Sequence, residues 1–306
     1  MPRSNFAEQI TALGYDYGAQ AKVRPEACNL CGARSHAAEV AARDRYGYPA
    51  TFVVCRCCGL GYLCPQLGAT QYAHFYSEIY RPLVSAYHGR RIDAETVQLE
   101  QRGYAVELAA FLLPLLQSSP HTILDVGGST GVVARVLATR LNARATVLDP
   151  SPDELAVARA AGMETVAGLV EDFDPGERTW DLVLLCQTID HLLDVRGTLA
   201  ALRRMTAACG RAFVDIVDVD VLLRRTGSIE RVIKIDHPYY LTRTTAVALF
   251  ALTGFTIVAE RLSDDGHRGF VLAPGLCAEP DWAALKVTAT RFLSTAWAPL
   301  PAGEPG

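Results

Sequence analysis

The sequence predicts an α/β fold: a parallel, doubly wound sheet of seven strands, set behind a small cysteine-rich module and a helical connector. Three observations carry that prediction. From residue 122 to about 274, strand-like and helix-like patterns alternate, as they do when crossover helices link parallel strands. Residues 123–131, Ile-Leu-Asp-Val-Gly-Gly-Ser-Thr-Gly, run an apolar strand into an acid and a glycine turn, and a helical pattern starts at Val132. Six of the nine cysteines fall between Cys28 and Cys64, which sets that stretch apart from the rest of the chain.

Taken in order, residues 1–24 form an N-terminal arm of weak helical character. Residues 25–66 are the cysteine-rich module, with short β-like runs such as 51–54. Residues 67–118 read as a helical connector: Tyr72, Phe75, Tyr76 and Tyr80 recur at helical spacing, and 93–116 carry a second helix. The α/β part occupies 119–276. Its strands are expected at 122–126, 145–148, 164–167, 181–186, 211–217, 255–261 and 269–273, the last two forming a closing hairpin. Its helices are expected at 130–141, 152–161, 195–208 and 242–252, with Gly254 stopping the last. Ser151 is placed to cap the second, with Glu154 at the capping-box position. Residues 219–240 exceed a simple connection and read as a lid and acceptor-binding insertion. The chain closes with a helix and a Pro- and Gly-rich tail over 277–306, expected to be disordered from Ala298 onward.

A chain of 306 residues, half of them apolar, holds one full α/β domain plus a smaller module. The net charge of −4 and the lack of a long basic run argue against a nucleic-acid footprint. No apolar stretch reaches the ~20 residues of a membrane span, and the N-terminus has no charged-then-apolar leader pattern. A cytoplasmic location is therefore expected, where clustered cysteines bind metal more often than they pair.

Cys28-Asn-Leu-Cys31 and Cys55-Arg-Cys-Cys58 each frame two thiols, and Gly32 and Gly59 follow directly. That is a zinc-knuckle form: the tight turn lets backbone N–H groups face the sulfurs, and four thiolates complete a tetrahedral shell. The 23 residues between the pairs slightly exceed the usual ribbon spacing. Cys57 is sterically poor as a ligand beside Cys58, and Cys64 is left out of the set. With all four positions filled by protein, the zinc is expected to be structural. Cys209 and Cys277 read as buried, inert thiols.

The glycines at 127, 128 and 131 do not follow the dinucleotide-binding spacing, and Asp125 precedes them where a pyrophosphate would be repelled. That charge suits a cation carrying a ribose and an amino-acid tail, and S-adenosylmethionine is such a ligand. Asp149 ends the second strand, where a carboxylate can accept from both ribose hydroxyls; an acid is also favourable there as the start of a helix. The order is a glycine turn, an acid about 20 residues on, the pair Asp172–Phe173 about 20 further, then Asp-Leu-Val-Leu-Leu. Over residues 100–275 this order resembles the class I methyltransferases, within their small-molecule group. The resemblance implies a Rossmann-like seven-stranded sheet with S-adenosylmethionine as cofactor. It implies that Asp125 meets the methionine end, and that Gly127, Gly128 and Gly131 make room for the adenosine and homocysteine parts. Asp149 would hold the ribose, Asp172 the adenine amino group beside the Phe173 backbone, and Cys186 would line the same site. Chains with a four-cysteine knuckle ahead of such a domain include sugar C-methyltransferases and related enzymes of polysaccharide biosynthesis. This sequence differs from the former in lacking their large C-terminal domain, and transfer to oxygen is expected ahead of transfer to carbon.

Methyl transfer from a sulfonium is an in-line displacement, so alignment and exclusion of water dominate. A hydroxyl acceptor also needs a base. His191, after the fourth strand, is the first candidate, and His237, in the insertion and followed by Pro238, Tyr239 and Tyr240, is the second. Asp215 and Asp218 flank the end of the fifth strand, and Asp215, Tyr76, Tyr80 and Tyr239 are candidates for contacting the acceptor. The basic residues of the insertion suit either a phosphate or a solvated helix face. The expected partner is a small hydroxylated metabolite, a sugar or sugar nucleotide first. An RNA methyltransferase with a zinc module and a non-catalytic binding protein that kept the fold are the rival readings.

Overall fold

Short alternating runs make strands early in the chain, and longer helical patterns follow. The computed structural model describes residues 4–92, 94–116 and 119–297. Helix α1 (Ser4–Ala12) precedes strands β1 (Lys22–Val23), β2 (Ala37–Arg43), β3 (Pro49–Cys55), β4 (Gly61–Leu63) and β5 (Gln66–Leu67). Helix α2 (Ala69–His74) runs through a π turn (Phe75–Ile79) into α3 (Tyr80–His88), and α4 (Ala94–Leu112) follows. Next come β6 (Thr122–Val126), α5 (Val132–Leu141), β7 (Arg144–Asp149), α6 (Pro152–Ala160), β8 (Glu164–Ala167), β9 (Trp180–Leu185), α7 (Val195–Met205) and β10 (Thr206–Val217). The chain closes with α8 (Val219–Thr226), β11 (Tyr239–Tyr240), α9 (Arg243–Leu252), β12 (Phe255–Leu262), β13 (His267–Pro274) and α10 (Trp282–Trp297).

These elements form two compact units. One takes the described residues up to 92, 217–245 and those from 281 on; the other takes 93–216 and 246–280.

The second unit holds a seven-stranded sheet of order β12-β13-β10-β9-β6-β7-β8. Parallel pairing joins β6 to β7 and β9, β7 to β8, and β9 to β10. An antiparallel hairpin of β12 and β13 closes one edge. The chain builds outward from β6 through β7 to β8, then restarts at β9 on the other side. That reversal opens a crevice beyond the carboxyl ends of β6 and β9, where open α/β sheets bind ligands. Strands buried on both faces need near-continuous apolar runs, and Ile123, Leu124 and Leu182 to Leu185 are all fully buried. Ala105, Leu108, Ala109 and Leu112 of α4 join Ala134, Leu137 and Leu141 of α5 in one cluster against this sheet.

Four local expectations are corrected. The helix expected over 195–208 ends at Met205, and residues 206–208 are extended. Thr206 pairs with Trp180 across the sheet, with a register shift before Arg211. A β-branched residue with a sheet partner resists the helix. Helix α5 starts at Val132 rather than at 130, because Gly131 sits in the left-handed region at φ 73°. Helix α4 stops at Leu112, and a 3₁₀ turn over Leu113–Leu115 follows because Pro114 cannot donate its nitrogen. Cys209 and Cys277, expected to be buried, are both exposed. Position 93, where that helix was expected to begin, and the tail expected to be disordered from Ala298 lie outside the described residues.

The first unit is built on a four-stranded sheet of order β11-β4-β3-β2. Tyr239 and Tyr240, from the long insertion, pair with Tyr62 and Gly61 of β4. Phe52 of β3 is the pivot: its ring meets Tyr240 edge-on at 5.1 Å and Phe292 of α10 at 6.2 Å. Among the described residues no helix is long and apolar enough to cross a membrane.

Leu184 lies fully buried in β9 at the centre of the large sheet. Leu184→Ala is expected to cost about 2–5 kcal/mol in the urea unfolding of that unit. Leu169→Ala, at a residue 44 % exposed, is the control and is expected to stay within about 0.5 kcal/mol.

Candidate cofactor crevice and cysteine cluster

The turn after β6 is shaped by what it cannot hold. Gly127 and Gly131 adopt φ of 69° and 73°, and Ser129 between them stands at 52°. A Cβ on Gly127 would lie 2.6 Å from the Thr188 side chain, and one on Gly128 would lie 2.7 Å from the Asp125 carboxyl. On Gly131 it would meet Met163 at 2.5 Å. Backbone angle and space thus both require glycine at 127 and 131. The Gly127 N–H donates to the Leu148 carbonyl at 2.8 Å, which ties the turn to the neighbouring strand.

Two acids flank this turn. Asp125 ends β6, is 1 % exposed, and accepts a backbone hydrogen bond from Ala134 in the first turn of α5. Its other oxygen, Oδ2, is buried without a hydrogen-bond partner among the described residues, as is Thr130 Oγ1 in the same turn. Burial pushes the Asp125 carboxyl up to about 7, with a smaller contribution from Asp149. Asp149 ends β7. Its Oδ2 accepts from the Ser129 N–H at 2.9 Å and its Oδ1 from the Ser151 N–H at 2.8 Å. Desolvation raises it and those two donors pull it back. Each Asp149 oxygen keeps a second lone pair for a hydroxyl donor.

The structure therefore brings Asp125, Gly127, Gly128, Gly131 and Asp149 together at the carboxyl ends of β6 and β7. A buried carboxylate with one unmet oxygen suits an ammonium group, the glycine cradle admits a ligand backbone, and Asp149 can take two hydroxyls. These residues fit S-adenosylmethionine. Asp172 is exposed on the loop after β8, and the half-buried ring of Phe173 tilts against Trp180 at 6.2 Å. The acid next to them, Glu171, accepts a hydrogen bond from the Thr198 hydroxyl at 3.0 Å.

After β9 the chain turns through Cys186 and Gln187, the latter at φ 51°, into a 3₁₀ turn over Ile189–His191. Burial raises the Cys186 thiol well above its ordinary value, and the charges of Asp125 and Asp215 add to that. His191 is half-buried, and its N–H donates to the Thr188 carbonyl at 3.0 Å. Asp215, expected beside the end of the fifth strand as a contact for the acceptor, lies inside β10 and is 2 % exposed. Its oxygens accept from the Gln187 N–H at 2.6 Å and the Tyr104 hydroxyl at 2.7 Å. Asp218, expected at the same strand end, caps α8 through the Asp220 N–H. Tyr104, Thr130 and Thr188 escaped the sequence reading, and Gln187 entered it only as a residue after the fourth strand. Only the left-handed angle at Gln187 marks that turn, and such an angle leaves no trace in a glutamine.

In the other unit the four predicted thiols converge. Cys28 Sγ and Cys58 Sγ are 3.5 Å apart, Cys31 Sγ and Cys55 Sγ 3.6 Å, and all four lie within 4.8 Å of one another. A tetrahedral zinc with bonds of about 2.3 Å would hold sulfurs about 3.8 Å apart, so the cluster fits that ion. Each knuckle is closed by a glycine N–H, Gly32 to the Cys28 carbonyl at 2.9 Å and Gly59 to the Cys55 carbonyl at 2.8 Å. The hydrogen bond from Cys28 lowers the Cys31 thiol to about 7 and lowers Cys55 further, while Cys28 and Cys58 rise. Cys64 lies aside, 3.7 Å from Arg24 Nη1.

The same unit holds the other aromatic candidates. Tyr76 donates to the Asp236 carbonyl at 2.9 Å, and its ring meets that of Tyr80 at 5.3 Å. Tyr239 is 3 % exposed and its ring lies 6.2 Å from that of Tyr62. His237, expected on a lid, is 4 % exposed, with Nε2 3.4 Å from both Asp236 Oδ2 and Lys234 Nζ. Burial lifts the nearby Asp44 to about 7 against the backbone donors of Tyr48, Ile235 and Tyr46.

A family model described as a methyltransferase domain matches residues 97–260. A ubiquinone biosynthesis O-methyltransferase from Methylobacterium sp. is 39 % identical over 95 residues, 27 % of this chain and 36 % of its own length. One of the same name from Methylocella silvestris is 36 % identical over 81 residues, 24 % of this chain and 31 % of its own. Each match thus spans only about a third of the relative's length. Among solved structures, the magnesium protoporphyrin IX methyltransferase of Synechocystis, with bound SAH, aligns at TM-score 0.51 and 12 % identity over 67 % of this chain and 99 % of that one. The PH0226 protein of Pyrococcus horikoshii aligns at 0.50 and 20 % identity over 57 % and 91 %. Both show the same fold.

Asp125 sets a pH dependence. An unfolded aspartate ionises near 3.9, while the folded carboxyl holds its proton to about 7. Folding is therefore unpenalised below about pH 4, grows weaker as pH rises toward 7, and changes no further above it. Asp125→Asn removes the titration. Its stability relative to the native protein is expected to rise between about pH 4 and 7 and to level off above that, as read from urea midpoints across pH.

Proposed function

The chain belongs to the methyltransferase-domain family, and on that premise we propose that it moves the methyl group of S-adenosylmethionine to a hydroxyl of a small metabolite. A sugar or sugar nucleotide is the first acceptor to test. The observation that carries this reading is the pair of acids at the switch point: Asp125, buried with an unmet oxygen, and Asp149, with two lone pairs open. A dinucleotide pyrophosphate would be repelled there, whereas an α-ammonium group and a ribose would be held. Two relatives named as O-methyltransferases support oxygen as the atom methylated.

When bound, the cofactor supplies an electrophilic methyl on a sulfonium. Asp125 accepts the ammonium, the glycine turn lets the ligand lie against the backbone, and Asp149 accepts the ribose hydroxyls. Asp172 and Phe173 are assigned to the adenine, and Cys186 to the wall of the same crevice. His191 would take the proton of the acceptor hydroxyl at a ring nitrogen. Being half-buried on the turn that borders the crevice favours it over His237, whose Nε2 lies beside a carboxylate and an ammonium. His237, Tyr76, Tyr80 and Tyr239 are assigned to acceptor recognition on their polar aromatic chemistry. Cys28, Cys31, Cys55 and Cys58 are assigned to a structural zinc, with no site left open for chemistry.

The test is incubation with methyl-labelled S-adenosylmethionine and a panel of nucleotide sugars, phenols and total RNA. Label in a small hydroxylated product is expected, as a methyl ether by mass and base stability. Label confined to RNA would overturn the acceptor class. Asp149→Ala is expected to weaken S-adenosylhomocysteine binding by at least ~1 kcal/mol in titration calorimetry, through lost hydrogen bonds; an unchanged affinity would mean that the ribose lies elsewhere. His191→Ala is expected to cost about 10²-fold or more in turnover with that affinity kept. Cys28→Ser should lose bound zinc by elemental analysis and destabilise its unit.

A further inference from the structure

One polar chain in the α/β unit runs from a helix outside the cofactor motifs to the glycine turn. It starts at Tyr104 in α4, whose hydroxyl donates to Asp215 Oδ2 at 2.7 Å. The second oxygen of Asp215 accepts from the Gln187 N–H at 2.6 Å. Gln187 stands at φ 51°, a conformation that a residue with a Cβ adopts at a cost. A fixed acceptor for its N–H offsets that cost. Thr188 follows directly. Its hydroxyl donates to the Cys186 carbonyl at 2.8 Å, and its methyl stands 2.6 Å from where a Cβ on Gly127 would be. The wall that touches the glycine turn is therefore held through Gln187 by Asp215, and Asp215 by Tyr104.

We propose that Tyr104 is a positioning residue for cofactor binding: its hydroxyl orients Asp215, which locks Gln187 in the left-handed region and so seats Thr188 against Gly127. The inference rests on the methyltransferase reading for the identity of the ligand, but not for the brace itself. Asp215 is faced by Tyr104 from α4, Cys186 from the end of β9, Arg261 from β12 and His267 from β13. Burial raises its carboxyl, while the Gln187 N–H and the Tyr104 hydroxyl hold it down. Without the hydroxyl, one of the two donors that favour its charged form is gone.

The test uses Tyr104→Phe in the full chain, with S-adenosylhomocysteine as the probe. Hydrogen–deuterium exchange is followed over residues 186–191 without the probe, and affinity is measured at neutral pH, with the native protein as the control. Two results are expected: faster exchange at Gln187, and an affinity lower by about tenfold. In a double-mutant cycle with Asp215→Asn, the Tyr104→Phe loss should shrink toward nothing, because the two act in one chain. Unchanged exchange at 186–191, or a Tyr104→Phe loss of equal size in both backgrounds, would overturn the brace. Faster exchange in a protein whose native form binds no S-adenosylhomocysteine would uphold the brace and overturn the methyltransferase reading instead.

Discussion

The α/β unit depends on a turn that contains no side chain where one would normally be. At Gly127, Gly128 and Gly131 a Cβ would fall within 2.7 Å of Thr188, Asp125 and Met163 respectively. Three separate strands and loops thus converge on one stretch of bare backbone. This convergence lets β6 hand over to α5 within a few residues. It also explains why the flanking acids can be so deeply placed. Asp125 reaches the first turn of α5, where the helix N-terminus offers backbone donors to a carboxylate.

Burying carboxylates is costly unless they are partnered, and the unit places three of them around one crevice. Asp149 and Asp215 each use both oxygens to hold backbone or side-chain donors, so their burial stiffens the turns after β6 and β9. Asp125 is different: one oxygen is satisfied and the other is left for something else. A site whose walls are internally satisfied and whose floor lacks one partner is pre-organised for a ligand that brings that partner, since little has to move when it arrives. The same contrast separates the two acids that hold the turns from the one with an unmet oxygen, although all three are the same residue type.

The other unit solves a different problem. Three of its strands are only two residues long, and such pieces bury too little surface to stand alone. It gathers distant segments instead. The insertion adds β11 to the small sheet, and α10 packs on the second cysteine knuckle. A Cβ on Gly59 would come within 3.0 Å of the Ala289 backbone, and Lys286 Nζ donates to the Arg56 carbonyl at 3.1 Å. The four sulfurs of the two knuckles converge within 4.8 Å of one another.

What the sequence determined by itself was local: the strand, turn and helix around residues 122–141, the acids at strand ends, the order of strands and helices, and the two thiol pairs. Each rests on periodicity, on glycine's freedom or on ligand spacing, and these act within a few residues. What only the tertiary structure decided was pairing at a distance. Asp215 reads as a strand-end acid facing an acceptor until Tyr104, 111 positions away, is seen to hold it, and His237 reads as a base on a lid until Lys234 and Asp236 close around it. The left-handed backbone at Gln187 has no signature in its residue type. Nor does the sequence reveal that Tyr239 and Tyr240 complete a sheet begun at β2, because hydrogen bonds between strands depend on which segments meet, and no spacing along the chain records that.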